Sequence, residues 1–179
     1  MKTLVASIGL LAATACLHRA PPLPAPIPKI EGDKRVLFAL RYTDIDLGSG
    51  MSVEPRKCVY VHYTGWLTDG KKFDSSRDTT NDGKPRSPLS FPQGARRVIA
   101  GWDLGFEGMK VGGRRRLFIP YQLAYGEAGR PPVIPPKAEL VFDVELMAVA
   151  DTLPRAEPTP RGQPAPPPQC APWTAISGR

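Results

Sequence analysis

A chain of 179 residues, 41% of them apolar, can bury one core of ordinary size but not two, so a single domain with flanking segments is expected. The formal charge of +7 does not point to nucleic acid: the basic residues are scattered, and the densest run, Arg114 to Arg116, alternates in and out like a strand and has no aromatic stacking positions. The 22 prolines concentrate at 20–29 and 154–172, two stretches that read as linkers on either side of a mixed region.

In chain order, the first segment reads as an address. "MKTLVASIGLLAATAC" has a lysine at position 2, a short apolar run and small residues at Ala13 and Ala15. That pattern fits a secretory signal and is too short to span a bilayer. Its end, "AATAC", resembles the lipobox of bacterial lipoproteins, with Cys16 as the lipidated new N-terminus, although Ala13 stands where leucine is commonest. A plain signal peptide with an incidental cysteine is the alternative. Leu17 is not the aspartate that tends to hold enteric lipoproteins at the inner membrane. The expectation is therefore an exported protein of the periplasm or cell envelope, lipid-anchored, with the outer membrane favoured. The expected division is a signal at 1–16, a stiff proline-rich spacer at 17–32, a domain at 33–150 and a proline-rich tail at 151–179.

The domain reads mainly as β. "RVLFALRY", "KCVYVHYTGWL", "GRRRLFIP" and "ELVFDVELMAV" are β-branched and aromatic runs with period-two alternation. Val59, Val61 and Tyr63 share one face of the second run, opposite Cys58, Tyr60 and His62. In the last run Phe142, Val144 and Leu146 oppose Asp143 and Glu145. One segment, "RRVIAGWDLGFEGM", has the spacing of a helix. Its three glycines, at about 1 kcal/mol each relative to alanine, mean that packing must hold it, with Gly101 and Gly105 letting the backbone come close. The fold expected is α+β, a curved antiparallel sheet wrapped around one short helix.

Four motifs in order, "VHYTGWLTDGKKFDSSRD", "VIAGWDLGFEGMKVGGRRRLFIP", "LAYGEAG" and "VIPPKAELVFDVEL", resemble the FKBP-type peptidyl-prolyl cis-trans isomerases over about residues 45 to 148. The resemblance implies an FKBP-like half-barrel of five or six antiparallel strands and rotation about the peptide bond before proline, with neither cofactor nor metal. It implies that Trp102 floors the substrate proline, that Tyr63, Phe73, Val98, Ile99 and Phe142 form walls, and that Asp74 and Tyr125 are the polar pair beside them. The Ile99 backbone N–H and the Tyr125 hydroxyl would hold substrate carbonyls, with Val133 and Ile134 closing one side in a flap. Leu89 stands near a common aromatic position and Arg130 where human members often carry histidine, both on the rim. The partners implied are proline-containing polypeptide clients and macrolides of the tacrolimus and rapamycin class, with a monomer expected.

Two rival readings of these residues are weaker. His62, Asp74 and Ser75 or Ser76 could form a hydrolytic centre, but alternation turns His62 away from Tyr63 and no nucleophile-elbow glycines flank the serines. His18 is the second of two histidines, too distant to suggest a zinc site. A binding module that holds proline segments without turnover uses the same residues and stays open. With Cys16 lipidated, Cys58 and Cys170 remain. The favoured reading is a buried free thiol and a disordered tail. The alternative is a bridge, with Trp173 and Ile176 lying against the domain.

Overall fold

The computed structural model of the protein describes residues 39–153 and 168–178. The signal and spacer, Cys16 among them, residues 33–38 of the expected domain, and 154–167 and 179 of the tail lie outside the described residues.

Six strands form one antiparallel sheet: β1 (Arg41–Asp46), β2 (Cys58–Leu67), β3 (Lys72–Ser75), β4 (Leu89–Pro92), β5 (Arg114–Ile119) and β6 (Leu140–Ala150). The order is β1-β5-β6-β2-β3, with β4 also paired to β2. Strand β2 is central because its whole length is apolar enough to be covered: β6 runs along one edge from Cys58 to Leu67, while β4 and β3 share the other. Alternation predicts β2, β5 and β6 well. Strand β1 differs, starting where the expected "RVLFALRY" run ends and lying exposed throughout, a polar edge strand held by its ladder to β5.

The helix is shorter than its spacing suggests. Helix α1 spans Ala100–Gly105 alone, entered from an extended Ile99 and left through Phe106, and Gly108 turns the chain at φ 71°. Its glycines do serve close approach. A Cβ at Gly101 would lie 2.3 Å from Ile119 of β5, and one at Gly105 would lie 2.8 Å from Leu117. With no side chains in the way, α1 presses Trp102 into the core, where Val59, Val61, Leu117, Ile119, Phe142, Val144 and Leu146 meet it.

One arginine of the "GRRRLF" run is part of that packing. Arg115 is 5% exposed; its guanidinium donates to Asp44 at 2.6 Å and to the carbonyls of Gly105 and Glu107 at 2.8 and 3.1 Å. A buried cation with its donors satisfied can be accommodated, and here it meets the unpaired carbonyls at the end of α1. Arg114 and Arg116 point out and pair with Asp46 and Asp143.

The outer face of β2 corrects the tail reading. Cys58 and Cys170 form a disulfide with a sequence separation of 112 residues. Residues 168–178 lie along the sheet: Leu153 N–H donates to the Gln169 carbonyl, the Tyr60 hydroxyl donates to the Ala171 carbonyl at 2.7 Å, and Trp173, opening a single helical turn α2 (Trp173–Ile176), sits 5.9 Å from the Tyr60 ring. Cys58 and Tyr60 face away from the core, yet both are fully buried. A proline-rich composition predicts a solvated tail, but Cys170, Trp173 and Ile176 supply a covalent tie and apolar anchors that such composition averages out.

Candidate functional site

The site grows from three elements that converge. Strand β2 presents Tyr63, β6 presents Phe142, and α1 presents Trp102. The ring centroids of Tyr63 and Phe142 lie 5.1 and 5.3 Å from that of Trp102, both edge-on. Phe73 on β3 joins edge-on to Phe142 at 5.5 Å. Such T-shaped contacts set a positive ring edge against a negative face and fix the rings relative to one another. The rings can close up because Gly65 of β2 has no side chain, since a Cβ there would lie 2.7 Å from both Phe73 and Phe142.

Val98, Ile99 and Tyr125 are half-buried and packed against the hydrophobic core to which these rings belong, and Ile134 is buried within it. Ile99 is held at the mouth of α1 by its carbonyl, which accepts the Trp102 N–H at 2.9 Å. Leu89 and Val133 are not drawn in, being 39% and 44% exposed. Beneath the cluster, Phe91 and Phe106 hold Trp102 at 5.7 and 5.5 Å. The helical spacing puts Phe106 on the same apolar face as Trp102, but sequence reading did not assign Phe91, although it continues the alternation of "LSF" and lies opposite Val59 in the ladder. The Trp102 Nε1 is buried with no hydrogen-bond partner among the described residues.

At the polar edge, Asp74 and Tyr125 each have their own partners. The Tyr63 hydroxyl donates to Asp74 Oδ2 at 2.6 Å, and the other carboxylate oxygen accepts from the Ser75 N–H at 2.9 Å and from Arg86 at 3.3 Å. Arg86 is anchored by a second bond, to the Ser75 carbonyl at 2.8 Å. It lay hidden within a polar loop. The signal that could have found it is that a carboxylate set among aromatic walls calls for a cation. Burial, then the bond from its hydroxyl to Asp74, pushes the Tyr63 pKa far above the ordinary tyrosine range. Tyr125 instead carries Arg130, whose guanidinium lies 5.8 Å from its ring centre.

No proton relay forms from the polar residues beside this wall. His62 opposes Glu145 of β6 and its Nδ1 lies 3.0 Å from Ser76 Oγ, while Asp74 is committed to Tyr63. Ser76 in turn accepts the Tyr63 backbone N–H at 2.8 Å, which makes it a ladder residue rather than a nucleophile. The His62 pKa is lowered, by burial first and the neighbouring Arg77 second. What remains is an apolar aromatic surround with a fixed carboxylate and hydroxyl at its edge. Such a surface suits a planar, dipolar group that must be turned rather than cut.

Comparison with known proteins gives one consistent likeness. A family profile described as FKBP-type peptidyl-prolyl cis-trans isomerase matches residues 50–147. An FK506-binding protein of Neisseria meningitidis is 49% identical over 106 residues, covering 59% of this chain and 92% of that protein. FK506-binding protein 4 of Dictyostelium discoideum is 53% identical over 111 residues, 62% of this chain, which spans 28% of that longer relative. The crystal structure of FkpA from Escherichia coli superposes with a TM-score of 0.55 at 42% identity, covering 69% of this chain and 54% of that one.

Proposed function

Because the chain belongs to the FKBP-type peptidyl-prolyl cis-trans isomerase family, we propose that its aromatic cluster receives the proline of a client polypeptide and speeds rotation about the preceding bond. The observation that carries this reading is the set of four mutually braced rings, Tyr63, Phe73, Trp102 and Phe142, with the Asp74 carboxylate tied to the Tyr63 hydroxyl at their edge. Rotation breaks amide resonance against a barrier of about 18–20 kcal/mol. The planar ground state is the more dipolar form, so water favours it and an apolar surround favours the twisted one. Trp102 serves as floor, the other rings with Val98 and Ile99 as walls, and Tyr125 and the Ile99 N–H as holders of flanking carbonyls, interactions that help only if they strengthen as the bond turns. Leu89, Val133 and Arg130 form the rim, and the buried Ile134 closes one side.

The test is a peptide assay with a Leu-Pro or Phe-Pro bond. The full-length protein is expected to accelerate the cis-to-trans step, which unaided takes tens of seconds, and tacrolimus or rapamycin is expected to abolish the acceleration with one-to-one stoichiometry. Binding of proline peptides without acceleration at micromolar protein would assign the site to a binding module.

The same proposal includes location: an exported protein held at the cell envelope, in the outer membrane, by lipid on Cys16. The signal pattern supports it, and so does the Cys58–Cys170 bridge, since structural disulfides persist in oxidising compartments. Intact mass of the protein isolated from its own membranes is expected to show a chain beginning at acylated Cys16. A different, unmodified start would leave export without an anchor.

A further inference from the structure

A groove lies on the other side of α1 from the aromatic rings, formed by residues before, within and just after that helix. It encloses about 620 Å³ and is lined by apolar side chains, among them Val53, Val98 and Leu104, and by Glu54, Asp103, Glu107 and Arg96. The volume is that of a ligand site rather than a surface dimple. Leu104 is 48% exposed, although its neighbour in sequence, Asp103, is tied down by the Gly94 N–H at 2.9 Å.

Charge selects the occupant. Three acidic residues and one arginine line it, and among the described residues none of the four takes part in a close ion pair, although Lys57 lies near enough to Glu54 to feel its charge and the Asp103 oxygens accept the Gly94 and Arg96 N–H groups. On a chain of formal charge +7, this is a locally negative trough with an apolar floor. Gln93, itself 5% exposed, lines it; the side-chain nitrogen donates to the Asp103 carbonyl, and the side-chain oxygen is buried with no donor among the described residues. Val98 lines the groove and also packs against the hydrophobic core to which the aromatic rings belong, and it stands one residue before Ile99, so groove and rings are neighbours along the chain.

We propose that this groove is a second subsite for the client polypeptide, taking a flanking segment that carries a lysine or arginine beside an apolar side chain. The proposal rests on the isomerase reading for its occupant, and it gives the protein a preference set several residues away from the bond it turns. Proline chemistry is then read on one side of α1 and local charge on the other.

The experiment compares a Leu-Pro tetrapeptide, which reaches the aromatic cluster alone, with longer peptides of the same core extended by Leu and Arg, or by Leu and Glu, on either side. For the full-length protein, the affinity for the better Arg-extended peptide is expected to exceed that for its Glu analogue by about tenfold, a gap that shrinks with added salt. The exposed double substitution Leu104→Ser/Glu107→Lys is expected to erase the gap and leave the tetrapeptide rate unchanged. Equal affinity for both extended peptides, or a gap that survives the double substitution, would overturn the subsite. A dimer in sedimentation that dissolves on Leu104→Ser would give the groove to a second copy and overturn it as well. Failure of the isomerase reading shows separately, as an unaccelerated tetrapeptide, and the affinities of the extended peptides still decide the groove.

Discussion

Replacing Asp74 by alanine is expected to lower kcat/KM for a Leu-Pro peptide by about tenfold or more, equivalent to ~1.4 kcal/mol of transition-state stabilisation. The carboxylate orients the Tyr63 hydroxyl on one oxygen and Arg86 on the other, so its loss frees a ring wall and a rim cation together. The fold should survive, because Asp74 is only half-buried and the three hydrogen bonds it accepts, at about 1 kcal/mol each, are lost at a site that water can reach. Asparagine, which keeps an acceptor without the charge, should fall between wild type and alanine. The Tyr63 pKa is raised, so the hydroxyl stays protonated throughout the neutral range and above it. Wild-type kcat/KM is therefore expected to be flat between about pH 6 and 9. A severalfold change across that window would mean that a proton moves during the reaction, and a pocket that only surrounds and holds the turning bond would not account for it. Phe142 is a poorer probe: it is 4% exposed and touches three other rings, so its truncation would cost about 3–5 kcal/mol of stability and confuse rate with folding.

Reducing the Cys58–Cys170 bridge is expected to destabilise the protein by about 2–5 kcal/mol, the upper end being the chain-entropy value for so long a loop. For a domain of this size that lowers Tm by roughly 10 °C. The Trp173 fluorescence should shift to the red as the tail leaves Tyr60, and a Cys58→Ala/Cys170→Ala protein should behave as the reduced one does, insensitive to reductant. Isomerase activity below the lowered Tm should be unchanged, because Cys58 and Tyr60 lie on the face of β2 opposite Tyr63. An unaltered Tm on full reduction, confirmed by thiol titration, would show that noncovalent packing of the tail suffices.

Particular residues show what the sequence could reveal. The faces of β2 and β6 were legible because every second residue is apolar over ten or eleven positions, long enough for the period to stand out. Strands β3 and β4 have four residues each, too few for a period, and β4 lay inside a stretch whose turn residues spoke louder. The helix was read too long because Val98 and Ile99 fit its spacing, whereas the backbone at Ile99 is extended. The aromatic residues offered as walls were found through the family motifs, and the structure brings their rings into contact with one another. The identity of the partner of Asp74 was not legible, since Tyr63 and Arg86 reach it through a strand ladder and a loop whose geometry no local pattern encodes. Arg115 was hidden for a related reason: alternation tells which way a side chain points, not whether carbonyls and a carboxylate await it there.

The bridge joins an early cysteine to a late one, and this bears on how the chain comes to be oxidised correctly. Cys58 emerges from a ribosome or a translocon 112 positions ahead of its partner, while Cys16 has already passed. An oxidant acting in order of appearance would join the first two thiols it met and strand Cys170, leaving the outer face of β2 uncovered. A sulfur already bonded to lipid is a thioether, with no thiolate to bring to such an exchange. On the proposed lipidation, the anchor at Cys16 therefore also removes the competing thiol, so that of the three pairings open to three cysteines one remains.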